Sequence, residues 1–223
     1  MTTTQASVSL YRVSVLATAV VRMWRGWRIV FPIVVANALI QGLLILPGAL
    51  PYLTLGFVLT ALVSLVTLVV SFALVSAAML QAVEGPVSVR ETVLLARARL
   101  WPLFAWSLAL VLVATLGLAL YVIPGLVVLA VTPYLLLAVV DGRPRPLAVN
   151  FKVLRARWGR WLVTLVVVAG VCSALWLLSA LDGFFVTGTG GAMIGWLAIG
   201  LVSSWLICAW ALVYRSVVPS APR

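Results

Sequence analysis

The sequence has little charge, few acids and no histidine. Only 9% of its 223 residues are charged, 65% are hydrophobic and the mean hydropathy is +1.26. A soluble fold of this composition would lack polar side chains to cover its surface. The absence of histidine removes the commonest general base and metal ligand, and four acids are too few and too scattered to pair. We therefore expect an integral membrane protein that is not an enzyme and needs no cofactor.

Other enzyme signatures are missing as well. The chain has no glycine-rich phosphate loop and no Gly-x-Ser-x-Gly turn. Its two cysteines, Cys172 and Cys208, each lie inside an apolar run and lack the spacing of a metal site or a disulfide framework. Both are expected to be small packing residues.

The charge that is present is mostly positive. Fifteen Lys and Arg stand against four Asp and Glu, a net charge of +11. In a soluble protein this balance would suggest nucleic acid. Here most basic residues border apolar segments, so the expected partners are membrane lipids with anionic headgroups, and nucleic acid is not expected.

Apolar runs close to the roughly 20 residues needed to cross a bilayer recur along the chain. They predict an all-α polytopic membrane helical bundle with six spans. The spans are residues 29–46, 54–80, 102–120, 124–140, 161–181 and 193–214. Pro133 is expected to kink the fourth span, and residues 182–191 are expected to form a flexible loop. The preceding segment, Ser7 to Arg28, is expected to be an uncleaved surface helix, although it could also enter the membrane.

The distribution of basic residues predicts the orientation. With six spans, the connections at residues 47–53, 117–123 and 182–192 lie on one side, and they contain no Lys or Arg. All fifteen basic residues then lie on the other side. By the positive-inside rule both termini are cytoplasmic.

The stretch from Asp141 to Trp161 predicts a basic amphipathic helix that leads into a span. Its apolar face carries Leu147, Phe151, Leu154 and Trp158. A shift of 58 residues (147 − 89) places this stretch on an earlier one: Pro86 falls on Pro144, and Arg97-Ala98-Arg99 falls on Arg155-Ala156-Arg157. Glu84-Gly85 matches Asp141-Gly142 with one inserted residue. We expect each proline to open a helix.

This repeat predicts the domain organisation. Residues 1–223 form a single integral membrane domain of three parallel units, approximately 7–83, 84–140 and 141–215. Each unit is a surface amphipathic helix followed by a two-span hairpin.

Two sets of candidate contact residues follow. The basic set, which could bind lipid headgroups or a partner, is Arg97, Arg99, Lys152, Arg155, Arg157 and Arg160. The favoured alternative is that these side chains only fix topology and snorkel from the span ends. The intramembrane polar set is Asn37, Gln41, Ser64, Thr67 and Ser71. These side chains could line a path for a polar substrate, but helix packing through hydrogen bonds is commoner.

Ile123-Pro124-Gly125 at the start of a span, Pro133 within it, and Asp141-Gly142 before an Arg/Trp helix resemble the membrane domain of bacterial glycerophosphoryl diester phosphodiesterases and related bacterial membrane proteins. The resemblance covers about Tyr121 to Val168. In that family the phosphodiesterase activity belongs to a separate soluble domain that uses histidines, so the resemblance implies a fold and no reaction. A serine common in the family's amphipathic helix is absent between Val149 and Val153.

The expected function is that of a non-enzymatic protein of the bacterial cytoplasmic (inner) membrane. It would act as a scaffold or accessory subunit of envelope or lipid-related machinery, in contact with other membrane proteins. The alternative is a permease-type transport subunit that works with a separate ATPase.

Overall fold

The computed structural model describes residues 3–46, 54–120, 122–185 and 188–220, and these residues form helices with no β-strand among them. The predicted all-α class is confirmed. The helices are α1 (Thr3–Leu43), α2 (Leu55–Glu84), α3 (Val89–Leu120), α4 (Val122–Val131), α5 (Leu135–Val140), α6 (Pro146–Ala156), α7 (Trp158–Phe185) and α8 (Thr189–Arg215).

Four helical segments among the described residues are long and apolar enough to cross a membrane. They are Val15–Leu43, Leu55–Glu84, Val89–Gly117 and Thr189–Arg215. The described part of α7 contributes a shorter apolar segment, Trp158–Gly170. The predicted fourth span is divided between α4 and α5, each shorter than a bilayer is thick. The count of six spans stays a prediction.

Two predicted helix boundaries are wrong. Surface helices were expected to end before Ile29 and Pro102, but α1 and α3 each run without interruption through these points. Pro32 and Pro102 lie inside these helices. A proline removes one backbone donor, and membrane helices tolerate that loss where neighbours satisfy the freed carbonyl. The first two expected surface helices are therefore continuous with the helices that follow them.

The starts predicted for α3 and α6 are also displaced. Instead of opening at Pro86, α3 begins at Val89, and α6 begins at Pro146 rather than at Pro144. Pro146 fixes the backbone in the first turn of α6, where the missing amide has no helical acceptor. A true break separates α6 from α7 at Arg157, so only the third unit has a separate amphipathic helix.

The connections between helices differ from expectation in one place. The expected loop at 182–191 is mostly helical, because α7 extends to Phe185 and α8 begins at Thr189. The connection at 47–53 lies outside the described residues. At its far side, the hydroxyl of Thr54 accepts a hydrogen bond from the amide of Phe57 and caps α2.

The long helices α1 and α8 pack antiparallel. Gly42 faces Met193, and Gly200 faces Val34 so closely that a β-carbon there would lie 2.6 Å from Val34 Cγ1. Small residues allow such close approach between membrane helices. Near the other end of this contact, the indole of Trp205 donates to the carbonyl of Leu16 at 3.0 Å.

The buried core is concentrated at one end of the bundle. It comprises the C-terminal halves of α2 and α8 and the short helix α5, with Met79, Leu137 and Tyr214 fully buried. Gly26 of α1 contacts Met79 and Val87, so the arginines of α1 beside it lie near this end as well. Away from it, large apolar side chains of the long helices are exposed, as expected of surfaces that face lipid.

Candidate functional site

A cluster of charged side chains joins three helices at the densely packed end of the bundle. Arg215, the last residue of α8, places Nε 2.6 Å from Oε1 of Glu84, the last residue of α2. Its Nη2 lies 2.7 Å from Oδ1 of Asp141, which follows α5. The side chains of Arg215 and Asp141 are only 12% and 9% exposed. One arginine thus bridges the two acids that the proposed repeat makes equivalent.

Asp141 is held by two further side chains. Its Oδ2 accepts hydrogen bonds from the hydroxyl of Tyr214 at 2.9 Å and from Nε of Arg143 at 2.6 Å. The bond to Asp141 raises the pKa of Arg143, which stays charged. Arg143 also donates to the carbonyl of Pro219, so the segment after α8 is fastened to the turn after α5.

The turn itself requires glycine. Gly142 has φ +77°, in the left-handed region that favours glycine. A β-carbon there would also lie 2.8 Å from Cζ of Arg99. The guanidinium of Arg99 therefore fills the space beside the turn, and α3 is brought against the charged cluster.

The arrangement of the charged cluster is that of a structural joint. Its two acids, Glu84 and Asp141, are both engaged by arginine, and its members come from α2, α3, α5 and α8 or their ends. Within the described ranges no three His, Cys, Asp or Glu side chains come together to hold a metal ion.

At a second polar site, side chains of α6 and α7 form hydrogen bonds with the backbone at the break between α4 and α5. Pro133 lies in this break, as the predicted kink required, and it leaves backbone groups without helical partners. Asn150 of α6 is fully buried; its Oδ1 accepts from the amide of Tyr134 at 3.0 Å and its Nδ2 donates to the carbonyl of Val131 at 2.8 Å. The indole of Trp161 donates to the carbonyl of Ala130 at 2.7 Å. Helices α6 and α7 are thus fixed to the break.

A comparable contact exists one unit earlier. Thr92 of α3 is 1% exposed, and its hydroxyl accepts from Nε2 of Gln81 in α2 at 3.1 Å. Oε1 of Gln81 accepts from the amide of Ser88 at 3.0 Å. Thr92 and Asn150 are 58 positions apart (150 − 92), the offset of the repeat. Both residues are buried and polar, but their partners differ: Thr92 bonds to Gln81 within α2, whereas Asn150 bonds to the backbone at the α4–α5 break.

The predicted intramembrane polar residues lie mostly between α1 and α2. Gln41 and Ser64 bond twice: Oγ of Ser64 donates to Oε1 at 2.8 Å, and Nε2 donates to the carbonyl of Ser64 at 3.2 Å. Oγ of Ser71 is 3.5 Å from Oδ1 of Asn37. Thr67 donates to its own helix, at the carbonyl of Val63. The contacts of Gln41 with Ser64 and of Asn37 with Ser71 join α1 to α2.

The predicted basic residues separate into two groups. Arg97, Lys152, Arg155 and Arg157 are exposed, and Arg160 is partly buried. Arg99 turns inward to Gly142. The expected equivalence of Arg99 and Arg157 is wrong in its local geometry, because Arg99 lies within α3 whereas Arg157 interrupts the helix with φ −134° and ψ 34°.

An apolar cavity of about 670 Å³ lies between α7 and the α4–α5 break. Its walls include Ala130, Pro133, Leu136, Leu165, Val168 and Trp210. The hydroxyls of two further wall residues, Thr132 and Thr164, donate to carbonyls of their own helices at 2.7 and 2.8 Å. The cavity therefore presents an almost entirely apolar interior, and its volume is typical of sites for small ligands.

A smaller cavity of about 310 Å³ lies between α1, α2, α3 and α8. Five polar side chains line it together with aliphatic ones: Asn37, Ser71, Ser107, Ser203 and Ser204. The hydroxyl of Ser204 donates to the carbonyl of Gly200 at 2.7 Å. This cavity is more polar than the first and lies within the predicted spans.

Sequence reasoning missed the charged cluster. In the sequence, Tyr214 is the last residue of the sixth predicted span and Arg215 follows it, and neither position predicts a contact with Asp141. The signal available was the pair of acids that end equivalent segments, since carboxylates at the edge of an apolar bundle need partners. Asn150 was missed because the apolar face was defined by hydrophobic residues alone, and this polar side chain adjoins it, three residues after Leu147 and four before Leu154.

Comparison of the chain with models of known protein families, with curated proteins and with solved structures finds no match.

Proposed function

We propose that this chain is a non-enzymatic scaffold or accessory subunit of envelope or lipid-related machinery in the cytoplasmic membrane of a bacterium. The observation that carries the proposal is the contrast between the two kinds of interior surface. Polar side chains in the spans are largely engaged with one another or with their own helices, whereas the 670 Å³ cavity is apolar. An apolar cavity beside a packed core suits a protein that holds lipid or apolar partner segments.

The proposed topology has six spans with both termini in the cytoplasm. It is supported by the position of the charged groups, because Glu84, Asp141 and Arg215 meet at one end of the bundle. The basic helix α6 begins beside this end, just after the Asp141 turn. A single charged end matches the positive-inside rule. In this arrangement α4 and α5 together make one interrupted span, and α7 makes another.

The three parallel repeats also belong to the proposal. Two observations support equivalence of the second and third units: Glu84 and Asp141 share Arg215, and Thr92 and Asn150, 58 positions apart, are both buried and hydrogen-bonded to an earlier part of the chain. The units differ where α3 is continuous and the α6–α7 pair is broken. The pattern is a repeat whose third copy has gained a break.

Affinity purification of the full chain in a mild detergent tests the proposed function. Membranes are crosslinked before extraction, and the bound proteins and lipids are identified by mass spectrometry. The proposal expects reproducible recovery of proteins that make or move envelope lipids, at levels above those of an unrelated multi-span control. Recovery of a stoichiometric ATPase together with ATP-dependent solute uptake by proteoliposomes would overturn it.

A permease-type transport subunit is the second candidate. The 310 Å³ cavity favours it, because Asn37 and four serines face a shared space at the level of the spans. Replacement of Asn37 by Leu would then abolish uptake while the bundle remains folded. Replacement of Thr67, whose hydroxyl donates to the carbonyl of Val63 within its own helix, is the matched control.

A further inference from the structure

The apolar cavity is bordered by basic residues on one face of α7. Trp161, Thr164, Leu165 and Val168 line the cavity, and their spacing places them on a single helical face. Arg160 precedes Thr164 by four residues, one helical turn toward the charged end. Arg157 lies just before α7, and its carbonyl accepts a hydrogen bond from the amide of Trp161 at 3.1 Å.

Arg160 also lies near the opposite wall. The next residue, Trp161, donates to the carbonyl of Ala130 in α4 at 2.7 Å, which brings this end of α7 against the segment that leads into the α4–α5 break. Arg157, the residue before α7, is exposed. Arg157 and Arg160 thus lie beside the apolar cavity, at the end of it that is nearer the charged cluster.

We propose that this cavity binds an acyl chain of an anionic membrane lipid, whose phosphate is held by Arg157 and Arg160. The inference rests on the proposed lipid-related function and specifies its ligand. Within a bilayer the cavity offers the chain no hydrophobic advantage over the surrounding lipid. An unfilled cavity forfeits dispersion contacts along its walls, so a chain that fills it restores them. Selectivity then comes from charge-assisted hydrogen bonds between guanidinium groups and the phosphate.

The position of α7 explains why a chain can enter. Helix α7 packs on α6 and α8 and is bonded to α4 through Trp161 and Ala130, and the cavity lies beyond this contact between α7 and the α4–α5 break. The break at Pro133 also borders this space. Asn150 and Trp161 already bond to the backbone groups at the break, so these groups are not left for a polar ligand to contact. The interior therefore selects an apolar occupant, and the two arginines select an anionic one.

Photocrosslinking in nanodiscs tests the proposal. The full chain is placed in phosphatidylcholine discs with a trace of phosphatidylglycerol or phosphatidylcholine that carries a diazirine on one acyl chain. After irradiation, labelled peptides are identified by mass spectrometry. We expect labelling of α7 and of the α4–α5 segment, with phosphatidylglycerol preferred about tenfold, the equivalent of about 1.4 kcal/mol.

Two sets of variants separate the cavity from the charges. Ala169→Trp, at an exposed residue that lines the cavity, should reduce labelling by both probes about tenfold, whereas Ala174→Trp, at an exposed residue further along α7, should not. The Arg157→Gln/Arg160→Gln variant should remove the preference for phosphatidylglycerol and leave phosphatidylcholine labelling unchanged. Arg155→Gln removes one exposed positive charge from α6 as the control.

Several results would overturn the proposal. Equal labelling of this site by the two probes would show that the headgroup is not recognised. Unchanged labelling in Ala169→Trp would show that the acyl chain does not lie in the cavity. If Ala169→Trp does not fold, Val168→Phe fills the same space by a smaller step and carries the same expectation. Loss of specific labelling while envelope proteins still co-purify rejects the lipid site alone, and specific labelling without such partners rejects the scaffold role alone.

Discussion

Nη2 of Arg215 lies 2.7 Å from Oδ1 of Asp141, although the two residues are 74 positions apart in the sequence. The contact links the last residue of α8 to the turn after α5, and Nε of the same arginine contacts Glu84 at the end of α2. Three helix ends are therefore joined by one guanidinium. In a bundle whose other contacts are mainly apolar, these two ion pairs determine which helix ends lie together.

Replacement of Arg215 by Met should destabilise the protein strongly. Removal of one partner from a buried ion pair costs about 3–5 kcal/mol. Asp141 keeps Arg143 and Tyr214, and Glu84 is partly exposed, so we expect a loss nearer about 2 kcal/mol. Unfolding in detergent, titrated with a denaturing surfactant, measures it. Arg155→Met, at an exposed position, should change the free energy of unfolding by less than about 0.5 kcal/mol. Equal effects of the two substitutions would contradict a role for the charged cluster.

Replacement of Asn150 by Leu should weaken the attachment of α6. The substitution leaves the amide of Tyr134 and the carbonyl of Val131 without this side-chain partner in a buried site, at about 1–3 kcal/mol for each group. Hydrogen exchange of the α4–α5 segment should accelerate along with the loss of stability. Lys152→Leu, two residues away on the exposed side of α6, is the control. Unchanged exchange in Asn150→Leu would show that the break is held by other contacts.

Gly142 and Gly85 offer a matched pair, since each follows one of the two acids that the proposed repeat makes equivalent. Gly142 has φ +77° and lies against Arg99, whereas Gly85 has φ −176° and open space around its Cα. Gly142→Ala should cost about 1–2 kcal/mol for the left-handed backbone alone. Gly85→Ala should be neutral within about 0.5 kcal/mol, as is usual away from strained sites.

The double variant Gly142→Ala/Arg99→Ala separates backbone strain from crowding. If the guanidinium of Arg99 crowds the new β-carbon at position 142, removal of this guanidinium recovers some of the stability lost in Gly142→Ala. Strictly additive effects on thermal unfolding would mean that the guanidinium moves aside freely.

The sequence predicts the class of the fold because hydrophobic runs and charge placement depend on composition along the chain. The apolar segments, the break near Pro133 and the segment ends at Glu84 and Asp141 all follow from such local signals. The continuity of α1 and α3 does not, because a proline within an apolar run can interrupt a helix or be carried inside it. That outcome depends on whether a neighbour supplies the missing hydrogen bonds, as Asn150 does at the α4–α5 break.

The site was harder to predict than the fold. Gln41 and Ser64, which bond to each other, both belong to the intramembrane polar set named from the sequence. The pairing of Arg215 with Asp141 needs the three-dimensional arrangement of α5 and α8, which no periodicity encodes. The apolar cavity likewise arises from how far α7 stands from its neighbours, a quantity that residue types alone leave undetermined.

The orientation of the charged end is the central claim, and cysteine accessibility in intact cells tests it most directly. In a background with Cys172 and Cys208 replaced by Ala, single cysteines are introduced at Ser88, beside the charged end, and at exposed Gly190, at the start of α8. We expect a membrane-impermeant maleimide to label Gly190→Cys in intact cells and to label Ser88→Cys only after the membrane is opened. Labelling of Ser88→Cys in intact cells would contradict the six-span arrangement with cytoplasmic termini.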